Sequence, residues 1–159
     1  MTKGLYISLF VLGALFSKAQ TNLYGKLNSF LSSNTKEVVS NRLIALSVWS
    51  TSNQPSRSIN AEFDKTYKVY EYAKLKGGNK GIVVLNINLD NDAVTSDITL
   101  EKDGVKKSIK ISKENLEIIK LLRDKAPVYN VVFDENGNIV YENLTEGTVF
   151  SSIQKLITR

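Results

Sequence analysis

The chain of 159 residues contains neither cysteine nor histidine. Without a thiol it can form no disulfide and no mixed disulfide, so thiol-disulfide exchange is chemically closed to it. Without an imidazole it has no Ser-His-Asp or Cys-His nucleophile site, no imidazole-ligated zinc or iron, and no side chain whose ordinary pKa suits a general base near neutrality. Prolines number only two. With no disulfides available, stability has to come from the core, and 42% hydrophobic with 23% charged residues is the composition of one ordinary domain without a large disordered part.

The first 20 residues, MTKGLYISLFVLGALFSKAQ, carry Lys3, then an uncharged run over 4–16, then Ser17 and Ala19 at three and one before a cut. This pattern predicts a secretory signal at 1–19 with cleavage after Ala19, because the apolar run is too short to cross roughly 30 Å of hydrocarbon as a helix. An uncleaved anchor is the competing reading. Cleavage would make the protein exported, periplasmic or secreted, with no stable membrane anchor and no cysteine to carry a lipid. Loss of Lys3 and Lys18 with the leader lowers the formal charge of +5 by two, which leaves no nucleic-acid signal. The remaining lysines are scattered among acids and read as a solvated surface.

Periodicity then sets the elements. Leu23, Leu27, Phe30 and Leu31 predict an amphipathic helix within an N-terminal extension at 20–40, and LIALSV at 43–48 predicts a buried strand. Ile59, Phe63, Tyr67 and Tyr70 share one face of a helix expected from Ser56 to about residue 75, with Ser56 as its cap and GGNKG as its stop. IVVLNINL at 82–89 reads as a second buried strand. Alternation on both sides of Asp103-Gly104 predicts a hairpin over 98–111, with a poor helix as the alternative. Ser112 caps a helix whose inward residues are expected to be Leu116, Ile119 and Leu122. A hairpin through DENGN at 134–138 follows, then a closing helix with Val149, Phe150, Ile153 and Ile157 inward.

This order, with three local matches, resembles the thioredoxin-like fold, and in particular the exported thiol-disulfide proteins of the TlpA and ResA kind. LIALSVWSTSNQPSRS is similar to that family's strand followed by Trp-x-x-x-Cys-x-Pro-Cys-Arg. Trp49, Pro55 and Arg57 stand in place, while Asn53 and Ser56 occupy the two cysteine positions. IVVLNINLD resembles the next strand with its terminal aspartate, here Asp90. APVYNVVFDENGNIVYENLTEG resembles the proline-strand-turn-strand segment, with Pro127 at the place of the cis-proline. The resemblance covers 41–159 and implies an α/β three-layer domain, a central mixed sheet flanked by helices, with an inserted hairpin or short helix around 98–111.

What the resemblance implies for function is an exported, redox-inactive domain that binds a polypeptide partner of unknown identity. Ala126, Pro127 and Val128 would supply backbone on one side of a groove, and Trp49, Asn53, Gln54 and Pro55 the wall opposite. No cofactor, metal or catalytic residue is expected. Two alternatives stand beside this reading. One is an enzyme using carboxylate and lysine as acid and base, although Glu62 and Asp64 lie one to two turns past the loop. The other is a purely structural subunit of an envelope assembly, in which an apolar patch replaces the groove. Asp90, Asp92 and Asp97 offer oxygen ligands to calcium but read better as a polar loop. DENGN lacks the glycine position and distal glutamate of a calcium loop. Asn143-Leu144-Thr145 fits a glycosylation acceptor, relevant only in a cell that performs the modification.

Overall fold

A computed structural model describes residues 22–35, 42–74, 76, 81–90, 92–122, 125 and 128–157. The expected signal at 1–19 lies outside the described residues, as do Ala126 and Pro127. The elements are helix α1 (22–34), β1 (Leu43–Trp49), α2 (Gln54–Tyr70), β2 (Ile82–Asn88), α3 (Ala93–Lys102), β3 (Ile109–Lys110), α4 (Leu116–Leu122), β4 (Tyr129–Phe133), β5 (Ile139–Glu142) and α5 (Val149–Gln154).

The sheet runs β3-β2-β1-β4-β5. Strands β3, β2 and β1 are parallel, while β4 and β5 are antiparallel to their neighbours. Every residue of β1 and β2 is buried, as a parallel pair covered on both faces requires, and this is why both read as continuous apolar runs. The connections β1-α2-β2 and β2-α3-β3 step the same way across the sheet, so right-handed crossovers put α2 and α3 on one face. Two links join that layer: Arg57 of α2 forms a bidentate pair with Asp103 at the end of α3, at 2.8 and 2.6 Å, and Asp64 accepts from the N–H groups of Lys107 and Ser108. Helix α5 packs against α2, and the Glu62 carboxylate accepts from the N–H groups of Gly147 and Val149 at its start. On the other face, Tyr24 of α1 packs on Phe133 with ring centroids 5.7 Å apart, and Lys26 pairs with Glu117 of α4. Leu23, Leu27 and Leu31 belong to the same core as the sheet, so α1 covers the domain.

Four expectations are corrected. Residues 98–111 form no hairpin: they are the end of α3 and the two-residue parallel strand β3. Asp-Gly suits a hairpin turn and a helix stop equally, because both need positive φ at the glycine. Here Gly104 has φ +72°, and the N–H groups of Asp103 and Val105 return to the carbonyls of Thr99 and Leu100. Second, the cap of α2 is Asn53 rather than Ser56, and the helix stops at Tyr70. Third, Leu116 points outward at 62% exposure while Ile118 and Leu122 are buried. The turn over 112–115, where Ser112 Oγ accepts from the N–H of Glu114, starts α4 at Leu116 and leaves that residue on the rim. Fourth, Phe150 is 39% exposed, its ring lying 5.2 Å from that of Tyr70.

Candidate functional site

The segment after β1 is shaped by hydrogen bonds at the two positions where the resemblance places cysteines. The Asn53 side chain caps α2 by accepting from the Ser56 N–H at 2.9 Å. Ser56 Oγ donates to the Asn53 carbonyl at 2.9 Å and accepts from the Ser50 N–H at 3.2 Å. Pro55 sits in the first turn, where its missing N–H leaves nothing unpaired. Ser56 is 1% exposed, while Asn53 is half-buried and Gln54 and Pro55 are exposed. An asparagine cap contributes about 1 kcal/mol to a helix. A neutral amide and a hydroxyl thus hold this turn in shape where the resemblance expects a dithiol.

The turn is fastened from below by Asp90, just past the end of β2. Its carboxylate accepts from the Thr51 N–H at 2.7 Å, the Thr51 hydroxyl at 2.6 Å, the Ser50 hydroxyl at 2.9 Å and the Asn88 amide at 3.3 Å. Partial burial pushes this carboxyl up, but the donors from Thr51, Ser50 and Asn88 outweigh it and hold the group below the usual carboxylate range. Asp90 is therefore a committed anion, unlike a base poised for proton transfer, whose pKa would be raised. Asp90→Ala is expected to cost about 2–3 kcal/mol by stranding several donors, read from urea unfolding. The folded pKa is depressed, so the contribution is present above the unfolded value of about 3.9 and is lost as pH falls through the folded one. The stability of Asp90→Asn should then vary less with pH than that of the wild type below about pH 4.

Trp49 is 1% exposed. Its indole N–H points to Asn86 Oδ1 at 3.4 Å, so it stands behind the loop as an internal support and offers no surface as a groove wall. It belongs to a polar layer in the sheet that sequence reasoning missed. Ser47 pairs in register with Asn86 on one side and Asn130 on the other, all three buried. Asn86 donates to Ser108 Oγ at 2.9 Å, and Asn130 bonds both the N–H and the carbonyl of Leu144. The signal was available in Asn86 and Asn88, two residues apart in an otherwise apolar strand and therefore on one face.

Val128 is half-buried and precedes Tyr129, the partner of Val48 in the antiparallel register. The chain therefore enters β4 beside the end of β1 and the loop that follows it. Tyr129 donates to Glu142 at 2.8 Å, and Lys125 reaches the same oxygen at 2.9 Å while lying 4.4 Å over the Tyr129 ring. Burial first and the Glu142 carboxylate second push the Tyr129 phenol far up, so it stays a neutral donor. Residues on either side of 126–127 are thus clasped together.

The other carboxylates weighed as ligands or bases, Glu62, Asp64, Asp92 and Asp97, are occupied. Glu62 and Asp64 each accept backbone N–H groups, Asp92 caps α3 through Val94 and Thr95, and Asp97 pairs with Lys110. Among the described residues no group of three or more carboxylates that could hold a metal is present. A cleft between the end of β2, the start of α3 and residues 110–114 measures about 80 Å³, well short of the several hundred Å³ that a small-molecule site needs. No helix among the described residues is long and apolar enough to cross a membrane.

No protein-family model and no curated protein matches the chain. Solved structures do. A thioredoxin domain of a thiol-disulfide oxidoreductase from Bacteroides vulgatus superposes with a TM-score of 0.57 at 15% identity, over 74% of this chain and 81% of that one. A thiol-disulfide oxidoreductase from Bacteroides fragilis gives 0.56 at 20% identity, over 76% and 85%. A thiol:disulfide interchange protein from a Bacteroides species gives 0.59 at 14% identity, over 74% of each chain. At these identities the likeness is one of fold: the chain has the thioredoxin-like fold and lacks the cysteines.

Proposed function

From a thioredoxin-like fold that carries no cysteine, we infer an exported, redox-inactive module that binds an extended polypeptide at the 50–57 loop and the segment entering β4. The observation that carries this reading is the reciprocal pairing of Asn53 and Ser56. The turn retains a defined shape and a tie to Asp90 after thiol chemistry is gone, which is what a site used for its shape requires. Pairing with an extended segment needs main-chain donors and acceptors rather than a reactive side chain. Gln54 and Pro55, exposed at the tip, form one wall. Ala126, Pro127 and Val128 would form the other, and Trp49 contributes as the buried support behind the loop. Export rests on the leader pattern at 1–19, and N-terminal sequencing of the secreted chain should begin at Gln20.

The binding test is titration of the purified chain with dodecapeptides selected from a displayed random library. Amide resonances of Gln54, Ser56 and Val128 should shift, and Pro127→Ala should weaken binding about fivefold or more with a far smaller change in unfolding free energy. Shifts confined to surfaces away from both segments would overturn the reading. No specific observation favours an acid-base enzyme.

A further inference from the structure

Helix α3 is built inside out. Its buried positions are polar, Ser96 at 1% and Thr99 at 8% exposure, while Val94 and Ile98, one turn apart, are exposed at 69% and 48%. The inward face is held by polar contacts: Ser96 Oγ donates to Asn88 Oδ1 at 2.9 Å, which ties the helix to the polar face of the sheet. A helix on a soluble domain ordinarily buries its apolar stripe, so hydrophobic burial within this chain does not explain an apolar stripe turned outward.

The position of α3 is fixed at both ends to the candidate site. Asp90, two residues before the cap Asp92, holds Ser50 and Thr51. Asp103, at its far end, holds Arg57 in the first turns of α2. The helix therefore spans the same stretch as the loop over 50–57 and lies beside it. Its flanking acids are matched, Asp97 by Lys110 and Asp103 by Arg57, and Glu101 and Lys102 stand at its carboxyl end. Facing out beside Val94 and Ile98 are Thr95 and Asp97, the latter matched by Lys110, with Glu101 and Lys102 one turn beyond Ile98.

We propose that Val94 and Ile98 are the docking surface for apolar side chains of the polypeptide bound at the 50–57 loop. The inference rests on the binding reading above and adds the chemistry of the partner: an extended segment whose side chains toward α3 are aliphatic or aromatic. A second copy of this chain is a poorer occupant. The two side chains expose on the order of 200 Å² per copy, against roughly 800 Å² per partner in a stable specific interface, whereas a segment already seated at the loop needs only a local extension of its contact.

The test uses random dodecapeptides displayed and panned against the purified chain, with the selected peptides then synthesised. They should be enriched in Leu, Ile, Val and Phe. Val94→Gln with Ile98→Gln places good helix formers at two exposed positions, so circular dichroism and the unfolding midpoint should stay near wild type while affinity falls about tenfold or more. Unchanged affinity in this folded double variant overturns the inference. If affinity falls only in Gln54→Ala with Pro55→Ala, the loop binds without α3 and the inference fails while the binding reading stands. If it falls only in the α3 variant, the loop reading fails, and with it the inference that rests on it. Selection of no peptide overturns both. Self-association of the wild type that the α3 variant abolishes, seen by sedimentation velocity, would assign the surface to a second copy and also overturn the inference.

Discussion

Gly81→Ala is expected to leave the chain largely unfolded. Gly81 precedes β2 with φ +105°, and a Cβ built there would lie 2.0 Å from the Glu71 carbonyl oxygen and 2.7 Å from that of Tyr70. Two penalties combine: a backbone conformation that L residues rarely adopt, and an overlap of backbone on backbone that no rotamer change relieves. The carbonyl of Gly81 also accepts from the Leu43 N–H at 3.0 Å, so moving this segment away would disturb the alignment of β1 with β2. A cost of about 4–5 kcal/mol or more follows, comparable with the whole stability of a small domain at about 5–15 kcal/mol. Gly104→Ala is the control. That glycine also has positive φ, but nothing lies within 4 Å of a built Cβ, and about 1 kcal/mol is expected. Circular dichroism with urea unfolding separates the two. A Gly81→Ala protein within about 1 kcal/mol of wild type would mean that this crossing of α2 and β2 is not rigid.

The second large effect is a gain of chemistry. Wild-type protein should show no disulfide reductase activity above a blank, because an amide and a hydroxyl cannot form a mixed disulfide. Asn53→Cys with Ser56→Cys should close a reversible disulfide across the first turn of α2 and confer activity on an insulin-reduction assay. The geometry distributes roles between the two new thiols. Position 53 is half-buried at the helix N-terminus, where the helix dipole and free N–H groups favour a thiolate. Position 56 is buried, suited to resolve a mixed disulfide from within. The substitutions remove the Asn53 cap, at a cost of about 1 kcal/mol, together with the Ser56 Oγ bonds, so the variant should be less stable when reduced. A folded double variant that keeps both thiols free under oxidising conditions would show that the turn does not bring positions 53 and 56 to disulfide distance.

The excluded chemistry was legible in the sequence without any structure. Absence of cysteine and histidine closes thiol and imidazole mechanisms whatever the fold, because a reaction needs its atoms. The elements with unmixed patterns were equally legible. Strands β1 and β2 are buried on both faces because helices cover both, and α1 and α2 bury Leu23, Leu27, Leu31, Ile59, Phe63 and Tyr67 at helical spacing. The order of these elements around Trp49, Pro55 and Arg57 sufficed for the fold.

Tertiary structure decided the places where a residue's partner is distant in the chain. Asp103-Gly104 reads as a hairpin turn until Asp92, Asn88 and Arg57 are seen to hold α3 as a helix. Its periodicity misleads because its buried face is polar, satisfied by Asn88 on β2 rather than by apolar packing. Asn53 rather than Ser56 became the cap because hydrogen-bond direction depends on which residue lies just outside the helix, and boundary residues of similar chemistry look alike in sequence. Trp49 is a support instead of a wall because Asn86, 37 residues away, accepts its N–H from within the sheet. Composition and local periodicity report which groups are present and which face is apolar. They do not report a polar layer that is buried only because each of its members finds its hydrogen bond across the sheet.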